Sequence, residues 1–246
     1  MSTFFNALSS ETHKLTSLRS TWIWAILLTG SLYGPVVLIG LFAQEKTTFA
    51  FADFPLIIMI FNILTIIFAA SGTAAEYAHK MHAHAFLTQK GRNAWLAARF
   101  VVTALFLAIN FAIGVAIAVV VATVMPKLTF QTVGGDKMLP MLGGLLLLGL
   151  FAAGIAAVLR SRVAGVGVPL VWILVVEPII LTFLGQHKIL EFIAKYTPGL
   201  NFRSITDGVT SLGEPTKQAF AFSVLIGWAA VAMAIGLFTN KVRDVR

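Results

Sequence analysis

Glu177 is the residue whose type and position point most directly to chemistry, because it interrupts a long apolar run and precedes Pro178. Placing a carboxylate deep in a bilayer costs about 2.5–3.5 kcal/mol on insertion scales, so such a residue predicts a function by default. Lining a water-filled pathway is one role. Capping a half-helix near Pro178 is the other. A proton relay would need partner carboxylates or histidines in other apolar runs, and the sequence has none there.

Three histidines form the second candidate site, at positions His79, His82 and His84. Zinc and copper sites need three or four ligands, usually oriented by hydrogen-bonded neighbours. All three histidines lie on one polar segment that has no Cys and little acid nearby. A contact surface for an acidic partner is favoured over a metal site.

Motifs of known enzyme classes are missing from the sequence. GxxxxGK[ST] occurs nowhere, and GGDK at positions 134–137 is too short for a phosphate-binding loop. There is no GxSxG or HExxH, and no Cys for disulfides, thiol chemistry or thiolate metal sites. We therefore expect no enzyme activity, no cofactor and no metal in this chain, and no ATP hydrolysis by the chain alone.

Composition indicates the elements that must position these residues. The 246 residues are 58% hydrophobic and only 11% charged, which is too apolar for a soluble core. Six runs reach or approach the roughly 20 residues needed to cross a bilayer, and they are continuous rather than alternating, as in helices. We predict an all-α membrane protein with one transmembrane domain over residues 1–246. The spans are expected at residues 22–42, 54–74, 101–124, 139–159, 163–183 and 220–238.

The distribution of Lys and Arg predicts the orientation of these spans. If the N-terminus is cytoplasmic, that side carries 11 basic against 3 acidic residues, and the other side balances 7 against 7. We therefore expect both termini in the cytoplasm. The excess charge of +8 then faces inner-leaflet lipids and a cytoplasmic partner rather than nucleic acid.

The N-terminal stretch, residues 1–21, has apolar residues at helical spacing and predicts an interfacial helix. A disordered polar tail is the alternative, because Ser and Thr are frequent here. Glu11 lies close to the stripe and weakens the pattern. The apolar residues of the stripe are Phe4, Leu8, Leu15, Leu18 and Trp22.

The loop between the second and third spans is the largest cytoplasmic segment. It has no Gly or Pro up to Gln89, which predicts a short helix that stops near Gly91. Such a helix offers a binding surface, and a solvated connector is the alternative.

The segment after Glu177 is unusual. Pro178 predicts a break in the fifth span, and a short amphipathic stretch at residues 189–196 ends at Thr197-Pro198-Gly199. Two half-length helices that enter the outer leaflet and return fit residues 178–215 best.

Taken together, the order of these segments resembles the ABC type-2 permeases, which are the membrane subunits of type V ABC exporters, over nearly the whole chain. FFNALSSETHKLTSLRSTW resembles the N-terminal elbow helix, with Glu11 and Lys14 before the first span. SGTAAEYAHKMHAHAFLTQKGRNAWLAARF resembles the end of the second span and a coupling helix, residues 76–92. WILVVEPIILTFLGQHKILEFIAKYTPGLNFRSIT resembles the fifth span and its re-entrant hairpin. The chain departs from the family at Gly91, where Pro or Ser is frequent, and at Arg99, where Lys is more frequent.

The resemblance implies a multi-pass protein of the bacterial cell membrane that exports a hydrophobic or amphipathic substrate such as a drug, an antimicrobial peptide or a lipid-like molecule. It implies two permeases, as a homodimer or with a related chain, and two separate ATPase subunits that bind the ATP and Mg. A coupling site for the ATPase is implied at Glu76, Tyr77, His79, Lys80, Met81, His82, His84, Phe86, Leu87 and Arg92. A translocation path with an outer gate is implied at Trp172, Glu177, Pro178, Phe183 and Phe192.

Two other functions stay open. A secondary transporter or channel would need inverted repeats or several buried ionisable groups, and neither is visible in the sequence. A non-transporting immunity protein that sequesters a membrane-active peptide would need neither.

Overall fold

The computed structural model describes residues 3–78 and 92–242. Within them, six helical stretches are long and apolar enough to cross a membrane, which confirms the predicted all-α membrane architecture. Each overlaps one predicted span. They are α2 (Arg19–Phe42), α3 (Phe54–Ala78), α4 (Arg92–Val124), α5 (Met138–Leu159), the stretch formed by α6 (Arg162–Val171), a π turn (Trp172–Val176) and α7 (Glu177–Thr182), and α10 (Gln218–Val242).

Helices α3 and α5 form the centre of the bundle. More than half of the membrane-crossing part of each is buried, against a third or less in the other four spans. Small residues permit this packing, because a Cβ at Gly149 of α5 would press on Leu107 and Thr65, and one at Gly154 would overlap the backbone of Ala232. Helix α5 therefore contacts α3, α4 and α10 closely.

The two ends of the bundle differ. At one end, which we call the charged end, α1 (Thr3–Ser17) packs on the start of α4 and contacts the end of α3, which in turn contacts the α5–α6 link. At the other, the strand end, β1 (Thr47–Ala50) pairs in parallel with β2 (Leu128–Gln131). Assignment of the charged end to the cytoplasm stays a prediction.

The strand pair was not predicted, because four-residue runs are too short to show an alternating pattern. Each strand follows a helix that runs from the charged end to the strand end, α2 or α4. After each strand comes a short 3-10 helix, Phe51–Asp53 or Gly135–Lys137, and then a helix that runs back, α3 or α5. The same order of elements thus occurs twice. Corresponding helices pack together, α2 on α4 and α3 on α5, and both copies run in the same direction.

The predicted break at Pro178 is wrong in its position and form. The chain stays helical to Thr182, and Pro178 lies in the first turn of α7, directly after the π turn. The irregularity comes before it, as a π turn in which the N–H of Glu177 donates to the carbonyl of Trp172. Two short helices follow, α8 (Lys188–Tyr196) and α9 (Pro198–Asp207), and their entry into the membrane stays a prediction.

Helix α1 exists, and its interfacial position stays a prediction. Leu18 and Trp22 of the predicted apolar stripe are exposed, and the face that packs against the bundle is formed by Ala7, Glu11 and Leu15. Glu11 is the most deeply buried of these residues. An apolar pattern could not reveal a helix face whose centre is a paired carboxylate.

Candidate functional site

A group of charged and aromatic side chains surrounds Glu11 at the charged end, and we call it the charged-end cluster: Glu11, Lys14, Glu76, Trp95 and Arg99. The two carboxylate oxygens of Glu11 accept from Lys14 Nζ at 2.7 Å, Trp95 Nε1 at 3.1 Å and Arg99 Nη1 at 3.3 Å. Lys14 Nζ also donates to Glu76 at 3.2 Å. Two anions and two cations therefore balance one another across α1, α3 and α4.

Burial decides how strongly this cluster holds the helices together. The side chain of Glu11 is 1% exposed and that of Arg99 is 9% exposed. Losing one partner of such a pair leaves a buried charge and costs about 3–5 kcal/mol. Gly72 of α3 makes room for the cluster, because a Cβ there would collide with the guanidinium group of Arg99.

Lys14 contacts both carboxylates, and they change its pKa. Partial burial lowers the pKa of Lys14, but its hydrogen bond with Glu11 and the charges of Glu11 and Glu76 raise it more. The net effect is a pKa above the ordinary value of 10.5. The ammonium group is therefore charged at any physiological pH.

A second polar contact set continues from Tyr77 toward α10. The Tyr77 hydroxyl donates to Asn240 at 3.1 Å, and the Asn240 amide donates to Asn93 at 3.4 Å. The guanidinium group of Arg160 lies 5.0 Å from the Tyr77 ring centre and donates to the Thr239 carbonyl at 3.0 Å. These contacts fix the end of α3 and the start of α4 against α10 and the α5–α6 link.

Most of the predicted coupling residues lie outside the described residues: His79, Lys80, Met81, His82, His84, Phe86 and Leu87. Arg92 begins α4, and only its backbone is described. Glu76 and Tyr77 are described, and both make the interhelical contacts given above. The sequence pattern pointed to the loop. The family resemblance singled out Glu11, Lys14, Glu76 and Arg99 one by one, but nothing in the sequence indicated that these residues contact one another.

Glu177, the other buried carboxylate, lies toward the strand end of the bundle and is 1% exposed. It accepts a hydrogen bond from the N–H of Gly199 at 2.9 Å, and the N–H of Leu200 also faces it. Both N–H groups belong to the first turn of α9, so Glu177 caps that helix from another segment. A Cβ at Gly199 would collide with the carboxylate.

Sequence reasoning missed two polar residues of α3, Asn62 and Thr65, which are isolated in an apolar run. Both are buried, and Asn62 Oδ1 and Thr65 Oγ1 have no hydrogen-bond partner among the described residues. Ala74 lies opposite Gly165 in the antiparallel packing of α3 and α6. Because the two helices run antiparallel, going about three turns back along α3 from Ala74 and the same distance forward along the fifth span from Gly165 brings Asn62 to the level of Glu177.

Trp172 lies in the π turn between these two levels. Its buried Nε1 has no hydrogen bond of normal geometry within the described chain, although it interacts with Glu177. Unsatisfied polar atoms buried together attract water or the polar group of a ligand. By this register Asn62, Thr65, Trp172 and Glu177 lie at neighbouring levels along α3 and the fifth span, and we call these four residues the polar layer.

The remaining predicted path residues are not gathered around this layer. Pro178 is exposed, Phe183 is 46% exposed, and Phe192 is 65% exposed. The ring of Phe192 packs on Tyr196 within α8. The outer-gate role of these three residues stays a prediction.

Comparison with known proteins adds no assignment, because no family model and no curated protein matches this chain. Within residues 3–78 and 92–242, no group of three His, Cys, Asp or Glu side chains is placed to hold a metal ion. The three histidines considered above lie outside those ranges.

Proposed function

We propose that this chain is the permease subunit of an ATP-binding-cassette exporter in the bacterial cell membrane. It moves a hydrophobic or amphipathic substrate outward, while two separate ATPase subunits bind and hydrolyse ATP. Two permease copies, identical or related, form the membrane part. Six spans, a sequence without a phosphate-binding loop and a basic loop between α3 and α4 support this proposal.

The observation that carries the proposal is the position of the charged-end cluster. It ties both ends of segment 79–91 to the same neighbours, since Glu76 precedes the segment and Trp95 and Arg99 follow it. A force applied to that segment by a cytoplasmic subunit would move α1, α3 and α4 as one unit, because breaking the buried pairs is costly. This is the mechanical requirement for coupling an external ATPase to the spans.

The Glu177 contact provides a mechanical connection at the strand end of the bundle. Glu177 joins the last turns of the fifth span to α9, so a tilt of that span would pull on α9 and its connection to α10. The polar layer lies next to this contact. Opening it would expose Asn62 and Thr65, which suits a path for a substrate with a hydrogen-bonding group.

The proposal is tested by placing charges on segment 79–91. A triple variant M81D/H82D/F86D is compared with a control, Q44D/K46D/H187D, in which three exposed residues of the strand end are changed to Asp. Two quantities are measured: ATP-dependent uptake of a fluorescent amphipathic cation into inside-out vesicles, and the amount of an ATPase subunit that co-purifies.

We expect the triple variant to lose both by more than about tenfold, since an unpaired charge in an interface costs about 2–5 kcal/mol. The control should keep both. Unchanged uptake and co-purification in the triple variant would exclude segment 79–91 as the coupling site. Uptake driven by an ion gradient without ATP would instead support a secondary transporter.

A further inference from the structure

A cavity of about 300 Å³ opens at the strand end, away from the charged-end cluster, and its lining includes Leu200, whose N–H faces Glu177. Its walls are α8, α9, the connection from Gly208 to Lys217 and the start of α10. This connection is ordered by backbone hydrogen bonds, including Thr210 N to the Glu214 carbonyl at 2.7 Å and Thr216 N to the Gly208 carbonyl at 3.1 Å. The volume is at the lower end of the range for small-molecule sites.

Charges of both signs line this cavity in equal number: Glu191, Lys195, Glu214 and Lys217. None of the four forms an ion pair with another side chain in the described part of the molecule. Lys195 Nζ instead lies 5.2 Å from the centre of the Phe220 ring. A ligand that carries one anionic and one cationic group would match this lining.

The surroundings of the cavity are those of a membrane surface. Helix α8 exposes four large apolar or aromatic side chains, Ile189, Phe192, Ile193 and Tyr196, beside its lysines. Trp228 of α10 is 38% exposed, and its indole N–H donates to the Tyr196 carbonyl at 2.7 Å. Partly exposed Trp and Tyr together with an amphipathic helix are typical of the bilayer interface.

We propose that this cavity binds the headgroup of a zwitterionic phospholipid that has a primary ammonium group, as in phosphatidylethanolamine. Lys195 and Lys217 hold the phosphate. Glu191 and Glu214 accept N–H bonds from the ammonium group, and Phe220 lies beside the glycerol. The acyl chains lie on the exposed apolar side of α10. This site does not depend on the proposed export function.

The test uses the full chain, purified in detergent and incubated separately with phosphatidylethanolamine, phosphatidylcholine and phosphatidylglycerol. Native mass spectrometry counts the retained lipids. We expect phosphatidylethanolamine to be retained about tenfold more strongly than either of the others, which corresponds to about 1.4 kcal/mol. Phosphatidylcholine has no ammonium N–H to donate, and phosphatidylglycerol has no cation.

Variants assign the retained lipid to the cavity. K195Q/K217Q should weaken retention of phosphatidylethanolamine, and E191Q/E214Q should abolish its preference over phosphatidylcholine. The matched controls K188Q and E45Q change exposed residues outside the cavity and should behave like the unchanged protein. Excess water-soluble glycerophosphoethanolamine should not displace the lipid.

Three results would overturn the proposal. Equal retention of the three lipids would mean that no headgroup is recognised, and preferential retention of phosphatidylglycerol would identify an anionic-lipid site. Displacement by the soluble headgroup would show that the cavity takes a free phosphoethanolamine compound rather than a lipid.

Discussion

Two carboxylates are buried to the same extent in this molecule, Glu11 at the charged end and Glu177 toward the strand end. Glu11 is surrounded by side-chain donors from two helices, and two of these donors are cations. Glu177 receives backbone N–H groups from the first turn of α9, and no cation among the described residues pairs with it. A glycine leaves room at both contacts: Gly72 lies beside Arg99, the partner of Glu11, and Gly199 lies beside Glu177 itself.

The difference predicts that the charged-end cluster is harder to separate than the Glu177 contact. Moving α1 away from α4 would break the buried pair of Glu11 and Arg99, which is costly. The Glu177 contact depends on one helix N-terminus held in one place. If α9 moves, the carboxylate can exchange those N–H groups for water in the polar layer.

The largest effect is expected from Glu11→Gln. Loss of its charge leaves Lys14 and Arg99 without their main partner, which should destabilise the protein by about 3–5 kcal/mol. Thermal unfolding in detergent, followed by circular dichroism, measures this. Glu45→Gln serves as the control, since Glu45 is exposed at the other end.

The next effect in size is expected from Gly199→Ala. The added Cβ takes the place of the Glu177 carboxylate, which must leave the N–H of Gly199. Loss of buried hydrogen bonds of this kind costs about 1–3 kcal/mol. Gly227→Ala is the matched control, because a Cβ at Gly227 meets no atom within 4 Å. Equal unfolding temperatures for the two variants would show that the Glu177 contact contributes nothing to stability.

A smaller effect is expected from Glu177→Gln, because the amide oxygen of Gln can still accept from Gly199. We expect a loss of at most about 1.5 kcal/mol, as for a neutral hydrogen bond. Uptake of a cationic dye should fall more than uptake of a neutral one if the charge faces the substrate. Destabilisation as large as that of Glu11→Gln would remove the distinction between the two sites.

The sequence was sufficient for the six spans, because uninterrupted apolar runs of bilayer length have no other stable structure. It also singled out Glu177 as a buried carboxylate. It misplaced the irregularity around Pro178, since the sequence does not reveal that a π turn absorbs the disturbance one turn earlier.

The charged-end cluster could not be predicted for a different reason. Its hydrogen bonds between helices join residues 62 to 88 positions apart along the chain, as in Lys14 with Glu76 and Glu11 with Arg99. A single charged residue in an apolar stripe is equally consistent with a poor helix and with a buried ion pair. Only the packing of α1 on α4 decides between them.

The smallest predicted effect concerns the pH dependence of the charged-end cluster through Lys14. Its pKa is raised above the ordinary 10.5 in the folded protein, because the attraction of Glu11 and Glu76 exceeds the opposing effect of burial. A raised pKa means that the folded state holds this proton more tightly than the unfolded state. The stabilisation is therefore complete below pH 10.5 and is lost as the pH rises through the higher pKa of the folded state.

The difference in unfolding temperature between the unchanged protein and Lys14→Gln should accordingly be constant from pH 7 to pH 9 and shrink at still higher pH. Lys46→Gln, at an exposed position, should show no such difference at any pH. If the Lys14→Gln difference instead grew with rising pH, the ammonium group would not be the stabilising form, and the pairing of Lys14 with both carboxylates would be wrong.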